Sequence, residues 1–363
     1  MTKPSSAPQS PDRSSGRAGV WKGRRRLLLA TVVALVAAVA GGWWFLAPGL
    51  RADQEWREAQ RSLEHDDFPV ARRSLLRCEQ VRPDDAGIRF TLARMERRAG
   101  DLAKAREQLQ EARRLGWPPD QIEFEQTLLQ AQAGGVMVTA PRLRAAVNGD
   151  DLDAALAYEA LVKGWIQRQA TAEAYLACDA WLKRFPAAWR AHFWMGWILE
   201  KQVKHALALE HYRAAHEGNP DDVGIRFRYA ETLLNLSEFS RAFPEVESCL
   251  QSRPKDPHYR FAAARCLQGL GRHEEAEALL LELIRENPDH GPALFALAQL
   301  HIAADDPAGA LDYARRAVSL DPSNPVRAAL LAEALRGVHE EAEANTWAEK
   351  ARTLVERNER PRP

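Results

Sequence analysis

Two short segments of this sequence come closest in residue type to a catalytic motif. The letters HEEAE occur at 273–277 and again at 339–343. A zinc-protease helix carries two histidines four residues apart, so that both imidazoles face one metal ion and a glutamate beside them acts as the base. Here Glu277 and Glu343 stand where the second histidine is required. We therefore expect no metal chemistry at either segment.

A group of histidines between residues 205 and 216 is the second candidate. His205, His211 and His216 are six and five residues apart, so they do not share one helical face. We expect them at the surface and not on a metal ion. The sequence also shows no phosphate-cradling glycine loop and no nucleophile elbow. These patterns predict that the chain is not an enzyme and has neither a cofactor nor a metal.

The charge composition bears on the class of partner. The chain has 50 basic and 50 acidic residues, so its formal net charge is zero. A protein that binds nucleic acid needs a basic face to neutralise phosphates. We therefore expect no nucleic-acid partner.

The elements that would position functional side chains repeat with a fixed period. Prolines recur every 34 residues, and an alanine stands twelve residues before each one: Pro186, Pro220, Pro254, Pro288 and Pro322 follow Ala174, Ala208, Ala242, Ala276 and Ala310. A second small residue, such as Gly196 or Ala230, lies twelve residues before the alanine. Such a period indicates stacked copies of one supersecondary unit. The small residues predict two helices that cross closely, and the proline predicts the end of the second helix.

This pattern resembles the tetratricopeptide repeat family over residues 52–358. The resemblance implies an all-α fold, in which αα-hairpins stack into a right-handed solenoid that binds a protein or peptide in its concave groove. Two units are placed at 52–119, five regular units at 155–324, and a weaker capping unit at 325–358. The loop of that last unit looks two residues short, because HEEAEA recurs after 66 residues and not 68.

The stretch 120–154 is 35 residues long and fits the pattern less well. Gly134, Gly135, Pro141 and Gly149 are expected to break the second half of this unit, because glycine and proline weaken helices.

Aromatic residues recur at the fifth position of the first helix of most units. They are Trp56, Phe90, Phe124, Phe193, Phe227, Phe261 and Phe295, and Trp197 follows Phe193 at the ninth position. The resemblance implies that both positions lie toward the concave groove, so these eight residues are candidates for partner binding. The alternative is that they only pack against the neighbouring helix. No ninth position carries the asparagine with which one class of the family holds a terminal carboxylate, so that ligand is not implied.

An apolar segment lies near the start of the chain. Residues 27–46 are twenty residues without a charge, which is the length that a helix needs to span a bilayer. Basic residues precede it, so the positive-inside bias predicts a cytoplasmic, disordered tail at 1–26 and extracytoplasmic repeats in a bacterial envelope. The alternative is a secreted protein cleaved after Ala40, because Ala38 and Ala40 have the small-x-small form of a cleavage site.

Four cysteines, Cys78, Cys178, Cys249 and Cys266, are predicted as small core residues. Cys249 and Cys266 alone fall in adjacent predicted helices, so they are the one pair that could form a disulfide in an oxidising compartment.

Together these patterns predict a protein with a single membrane span whose repeats form a protein-interaction scaffold. One alternative is a receptor that binds a small ligand or glycan in the aromatic groove. Another is an accessory subunit of an envelope enzyme complex, with 120–154 as the contact.

Overall fold

The computed structural model describes residues 50–359, which contain helices and no strand. Helix α1 covers 50–64. The helices that follow are α2 (Phe68–Val81), α3 (Ala86–Ala99), α4 (Leu102–Arg114), α5 (Pro119–Gln130), α6 (Val136–Ala146), α7 (Asp151–Gln167), α8 (Thr171–Arg184), α9 (Trp189–Lys201), α10 (His205–Gly218), α11 (Val223–Asn235), α12 (Phe239–Ser252), α13 (Pro257–Gly269), α14 (His273–Glu286), α15 (Gly291–Ala303), α16 (Pro307–Leu320), α17 (Pro325–Gly337) and α18 (Glu341–Glu359).

The chain divides into two compact units, Met1–Gln126 and Thr127–Pro363. In the first unit, α3 pairs with α4 and α2 packs on α3. In the second unit, consecutive helices from α7 to α18 form pairs, and the second helix of each pair packs on the first helix of the next. The all-helical stack of hairpins expected from the 34-residue period is therefore confirmed.

The repeated prolines and acidic residues mark where helices end and begin. Helices α8, α10, α12, α14 and α16 each end two residues before a proline of the 34-residue series. Several first helices start at a capping aspartate; the Asp222 carboxylate, for example, accepts from the backbone N–H of Gly224 at 2.8 Å. Such a cap satisfies one of the amides that the first helical turn leaves unpaired.

The small residues allow the helices of a pair to approach closely. The alanines of the series are fully buried, and so is Ala230. Gly196 shows the limit of the available space, because a Cβ atom there would lie 2.9 Å from the ring of Tyr212 on the partner helix. The paired helices therefore cross at these sites, as the spacing predicts.

The turn inside each pair contains one residue in the left-handed region, with φ between 59° and 92°. These residues are Asp66, Gly100, Gly134, Gln169, Val203, Ser237, Gly271, Asp305 and His339. Their spacing is 34 residues throughout, except for 35 residues between Gly134 and Gln169. The second helix of each pair begins two residues after its left-handed residue.

The stretch 120–154 forms a helix pair, so the expectation that its second half is broken is wrong. Gly134, with φ of 92°, takes the regular turn position inside a short π-helical segment, Ala131–Gly135. Pro141 lies within α6, where the carbonyl that loses its hydrogen bond belongs to the exposed Met137. The extra residue is absorbed by a shorter α6 of 11 residues and a longer α7 of 17 residues.

The last pair also keeps the regular length, so the expected two-residue deletion in its loop is wrong. His339 is the left-handed turn residue and α18 starts at Glu341, whereas His273 is the first residue of α14. The two HEEAEA segments therefore occupy different structural positions, and their 66-residue separation does not reflect a shortened loop.

Within residues 50–359, no helix is both long enough and apolar enough to cross a bilayer. The apolar segment 27–46, the tail 1–26 and the Ala40 cleavage position lie outside the described residues.

Candidate functional site

The first helices of successive pairs carry the aromatic series, and the three members in the first unit are packing residues to different degrees. Trp56 is half-buried against the cluster that contains Ala59 and Leu75. Phe90 is only 8% exposed and stacks on Trp117 with ring centroids 4.9 Å apart. Phe124 is half-buried. The structure gives no cavity lined by these three residues.

In the second unit, Phe193 and Trp197 are both half-buried on α9, but a third aromatic residue connects them. The ring of Trp194 meets Phe193 edge-on at 5.3 Å and Trp197 edge-on at 6.4 Å. Lys201 lies 5.3 Å from the centroid of Trp197, and Lys163 lies 5.4 Å from that of Trp194. The sequence series missed Trp194 because it occupies the sixth position of its unit and not the fifth.

Phe227 is half-buried and contacts the ring of Tyr259 at 4.6 Å. Phe193 makes a comparable contact with Tyr212, at 6.0 Å, on the second helix of its pair. One side of each of these rings is therefore covered by a neighbouring aromatic residue. Their other side leaves part of the ring exposed.

Phe261 and Phe295 line a cavity of about 420 Å³. Its walls come from three successive first helices, α13, α15 and α17, and we call it the α13–α17 cavity. The remaining lining residues are Arg265, Gln268, Pro292, Ala296, Gln299, Asn324, Val326 and Arg327. The structure thus brings together two of the eight predicted residues in one binding-sized space.

The polar groups of this cavity sit one helical turn from its aromatic rings. Arg265 and Gln299 are the ninth positions of their units, four residues after Phe261 and Phe295. The period alone could have identified both, because residues four apart lie on the same helical face. Val326 and Arg327 carry no repeated signal in the sequence, so only the fold shows that they line the cavity.

Arginine dominates the charge of the cavity, since none of its ten lining residues is acidic. Arg327 donates from Nη1 to the carbonyl oxygen of Ala317 at 3.0 Å and lies 4.0 Å from the Asp321 carboxylate. Arg265 makes no ion pair with any residue in the range 50–359 that the structure describes. The carboxylate that senses its charge, Glu231, is held by Arg228 at 3.1 Å.

Carboxylates replace arginine on the neighbouring helices α9 and α11. Burial raises the pKa of Glu231, although the positive charge of Arg228 opposes the shift. Glu200 accepts a hydrogen bond of 2.8 Å from the Tyr212 hydroxyl. The groups along these helices therefore change from acidic near Trp197 to basic at the α13–α17 cavity.

The histidines that the sequence placed at the surface are half-buried, which corrects that expectation. His211 hydrogen-bonds to His192, and His216 stacks on Tyr229 with centroids 5.9 Å apart. Both rings fill space between helices, so the helical spacing alone was a poor guide to their exposure. Across residues 50–359, no three histidine, cysteine or acidic side chains are grouped to hold a metal ion.

The four cysteines are buried and unpaired with one another. Burial raises the pKa of the Cys178 and Cys266 thiols to about 12, and that of Cys249 to about 11. Cys249 and Cys266 therefore lie in the structure as reduced core residues. Their thiols are poor nucleophiles at neutral pH, because the thiolate is the reactive form.

Profiles of one family match most of the described chain. The tetratricopeptide repeat is matched at residues 56–118, 142–223, 236–300 and 291–324. These ranges include the α13–α17 cavity up to α15 and the turn that precedes α17. They also include most of the segment 120–154 after residue 142.

Two curated proteins resemble parts of the chain. The Vi polysaccharide export protein VexE of Salmonella typhi is 33% identical over 79 residues, which is 22% of this chain and 12% of that protein. The cellulose synthase operon protein C of Pseudomonas fluorescens is 26% identical over 126 residues, 35% of this chain and 10% of that protein. The chain thus spans about a tenth of the length of each of these relatives.

Among solved structures, PilW, a type IV pilus biogenesis factor, superposes with a TM-score of 0.49 at 18% identity. The superposition covers 56% of this chain and 98% of PilW.

Proposed function

From the premise that this chain is a tetratricopeptide repeat protein, we propose that it is an interaction scaffold without catalytic activity. Its α13–α17 cavity holds a segment of a partner protein. The observation that carries the proposal is the cavity itself, with two half-buried phenylalanines and an arginine that has no ion pair among residues 50–359. Interfaces use such aromatic and arginine side chains as anchors.

Site-specific photo-crosslinking in intact cells tests this proposal. Gln299 is exposed and lines the cavity, whereas Leu281, 38% exposed, lies on the second helix of its pair. A benzoylphenylalanine at 299 should give a discrete crosslinked product, and the same residue at 281 should not. The product should also be lost when Phe295 is changed to alanine. Equal crosslinking from 299 and 281 would remove the cavity as the binding site.

We further propose that residues 27–46 anchor the chain in a membrane and that the repeats are extracytoplasmic. The support is the uncharged length of this segment and the basic residues before it. The names of the two curated relatives, which concern polysaccharide export and cellulose synthesis, favour a partner in an envelope polysaccharide assembly.

A second candidate function is a glycan receptor, and the Trp194–Trp197 pair favours it. Both rings are half-buried and lie 6.4 Å apart at their centroids, so they offer partly open indole faces beside two lysines. Titration of tryptophan fluorescence with cellohexaose and with hexagalacturonate tests this function. A saturable change that Trp197→Ala abolishes would support it, and an unchanged spectrum with both sugars would exclude it for these two classes.

A further inference from the structure

The α13–α17 cavity has apolar sites at a regular spacing, which restricts what can bind there. Phe261 and Phe295 hold the same position on the first helices of successive pairs, and both are half-buried. Val326, 60% exposed, adds an apolar group from α17, and the buried Ala296 leaves room between the rings. Neighbouring packed helices lie about 8–10 Å apart. An extended chain rises ~3.3 Å per residue, so its side chains three residues apart match this spacing.

The charge of the cavity restricts the occupant further. Arg265 lies one turn after Phe261, and no described residue between 50 and 359 forms an ion pair with it. Glu231, the acidic group that it senses, is already engaged by Arg228. Arg327 keeps a weak contact of 4.0 Å with Asp321. With no acidic residue in its lining, the cavity presents uncompensated positive charge beside apolar surface.

We infer that the α13–α17 cavity selects an acidic segment in extended conformation, with apolar side chains three residues apart and a carboxylate between them. The apolar side chains pack on Phe261 and Phe295. The carboxylate accepts hydrogen bonds from the Arg265 guanidinium, whose planar donors suit it. This inference rests on the proposed function, since it names the chemistry of the segment that the scaffold would bind.

An unbiased peptide selection tests the inference. The full-length chain, purified in detergent and immobilised, is panned against a display library of random nine-residue peptides. The expected outcome is enrichment of aspartate or glutamate flanked by apolar residues three positions apart. Enrichment of basic or uncharged peptides that compete for the same site would overturn the inference and leave the scaffold function standing. No enrichment of any peptide would overturn the proposed function as well.

Variants of Arg265 make the test specific to the guanidinium. For an enriched acidic peptide, Arg265→Gln should weaken binding roughly 10-fold or more, and Arg265→Lys should weaken it less. Arg265→Glu should reverse the preference when the selection is repeated, so that lysine and arginine are enriched. The matched control is Arg94→Gln, which changes the arginine at the same repeat position of α3. An equal loss in the Arg94 and Arg265 variants, or an Arg265→Glu variant that still selects acidic peptides, would contradict the assignment.

Discussion

The Nδ1 atoms of His192 and His211 lie 3.0 Å apart between α9 and α10. His192 also places Nε2 2.9 Å from the carbonyl oxygen of Pro186, which can only accept a hydrogen bond. Nε2 of His192 therefore carries a proton, and in the neutral ring its Nδ1 accepts from the Nδ1–H of His211. Protonation of both rings would place a proton on each of the facing nitrogen atoms and break this bond.

The first prediction is that the free energy of unfolding decreases below about pH 6.5, the pKa of an unperturbed histidine. Burial lowers the pKa of His211, and the neighbouring His192 lowers it further. Burial also lowers the pKa of His216 and His290. The unfolded chain therefore takes up protons that the folded chain resists, and stability is lost as the pH falls toward the folded values.

Urea denaturation at pH 7.5, 6.5 and 5 measures this effect. His211→Gln should show a smaller loss between pH 7.5 and 5 than the unmodified chain. The control is His273→Gln, because His273 is exposed at the start of α14. If the His211 and His273 variants have the same pH dependence, the His192–His211 contact is not the cause.

The second prediction concerns the turn between α9 and α10. Val203 has φ of 60° and is 74% exposed, so a β-branched residue holds the left-handed conformation without compensating burial. Gly271 occupies the same turn position between α13 and α14, with nothing within 4 Å of a Cβ atom added there. Val203→Gly should therefore stabilise the chain by about 0.5–1 kcal/mol, and Gly271→Val should destabilise it by about 1–2 kcal/mol. Thermal denaturation of the two variants checks both signs, and a destabilising Val203→Gly contradicts the argument.

The third prediction separates packing from surface in the aromatic series. Phe90→Ala should cost about 3 kcal/mol or more, because this ring is 8% exposed and stacks on Trp117. Trp197→Ala should cost roughly 1 kcal/mol, because Trp197 is half-buried and its ring contacts are with Trp194 and Lys201 on the same helix. Chemical denaturation gives both values. A loss for Trp197→Ala on the scale of Phe90→Ala would make Trp197 a core residue.

The fourth prediction concerns topology. Protease added to intact spheroplasts should digest the repeats and spare an epitope tag at residue 1, because the basic residues before 27–46 favour the cytoplasm. Spheroplasts opened with detergent are the control in which both should be digested. Loss of the tag alone would reverse the orientation, and a mature N-terminus at Gly41 would show cleavage after Ala40.

The sequence period was sufficient to predict the helix pairs, because proline and small residues act locally. Pro220 and Gly196 are examples, since each limits the backbone wherever it occurs. The left-handed turn residues share no side-chain type, from Asp66 to Val203, so their register appears only in the backbone. The same holds for Pro141, whose tolerance within α6 depends on the exposure of a carbonyl and not on the proline itself.

The candidate site was predictable in part. The aromatic series identified Phe261 and Phe295, which line one cavity, but it gave equal weight to Phe90, which is buried. Burial depends on neighbours such as Trp117, which lies outside the series. Val326 and Arg327 could not be assigned in advance, because their place in the cavity follows from the packing of α17 against α15.

The constant spacing of the turn residues has a genetic consequence. From Gln169 to His339, every hairpin turn falls at the same phase of a 34-residue period. A duplication or deletion of 34 codons within this range joins one turn to its equivalent, so every remaining turn and helix crossing keeps its local sequence. The number of hairpins can therefore change by unequal recombination without any compensating substitution. The single extra residue between Gly134 and Gln169 shifts that phase, so an exchange across it would place helix positions against turn positions.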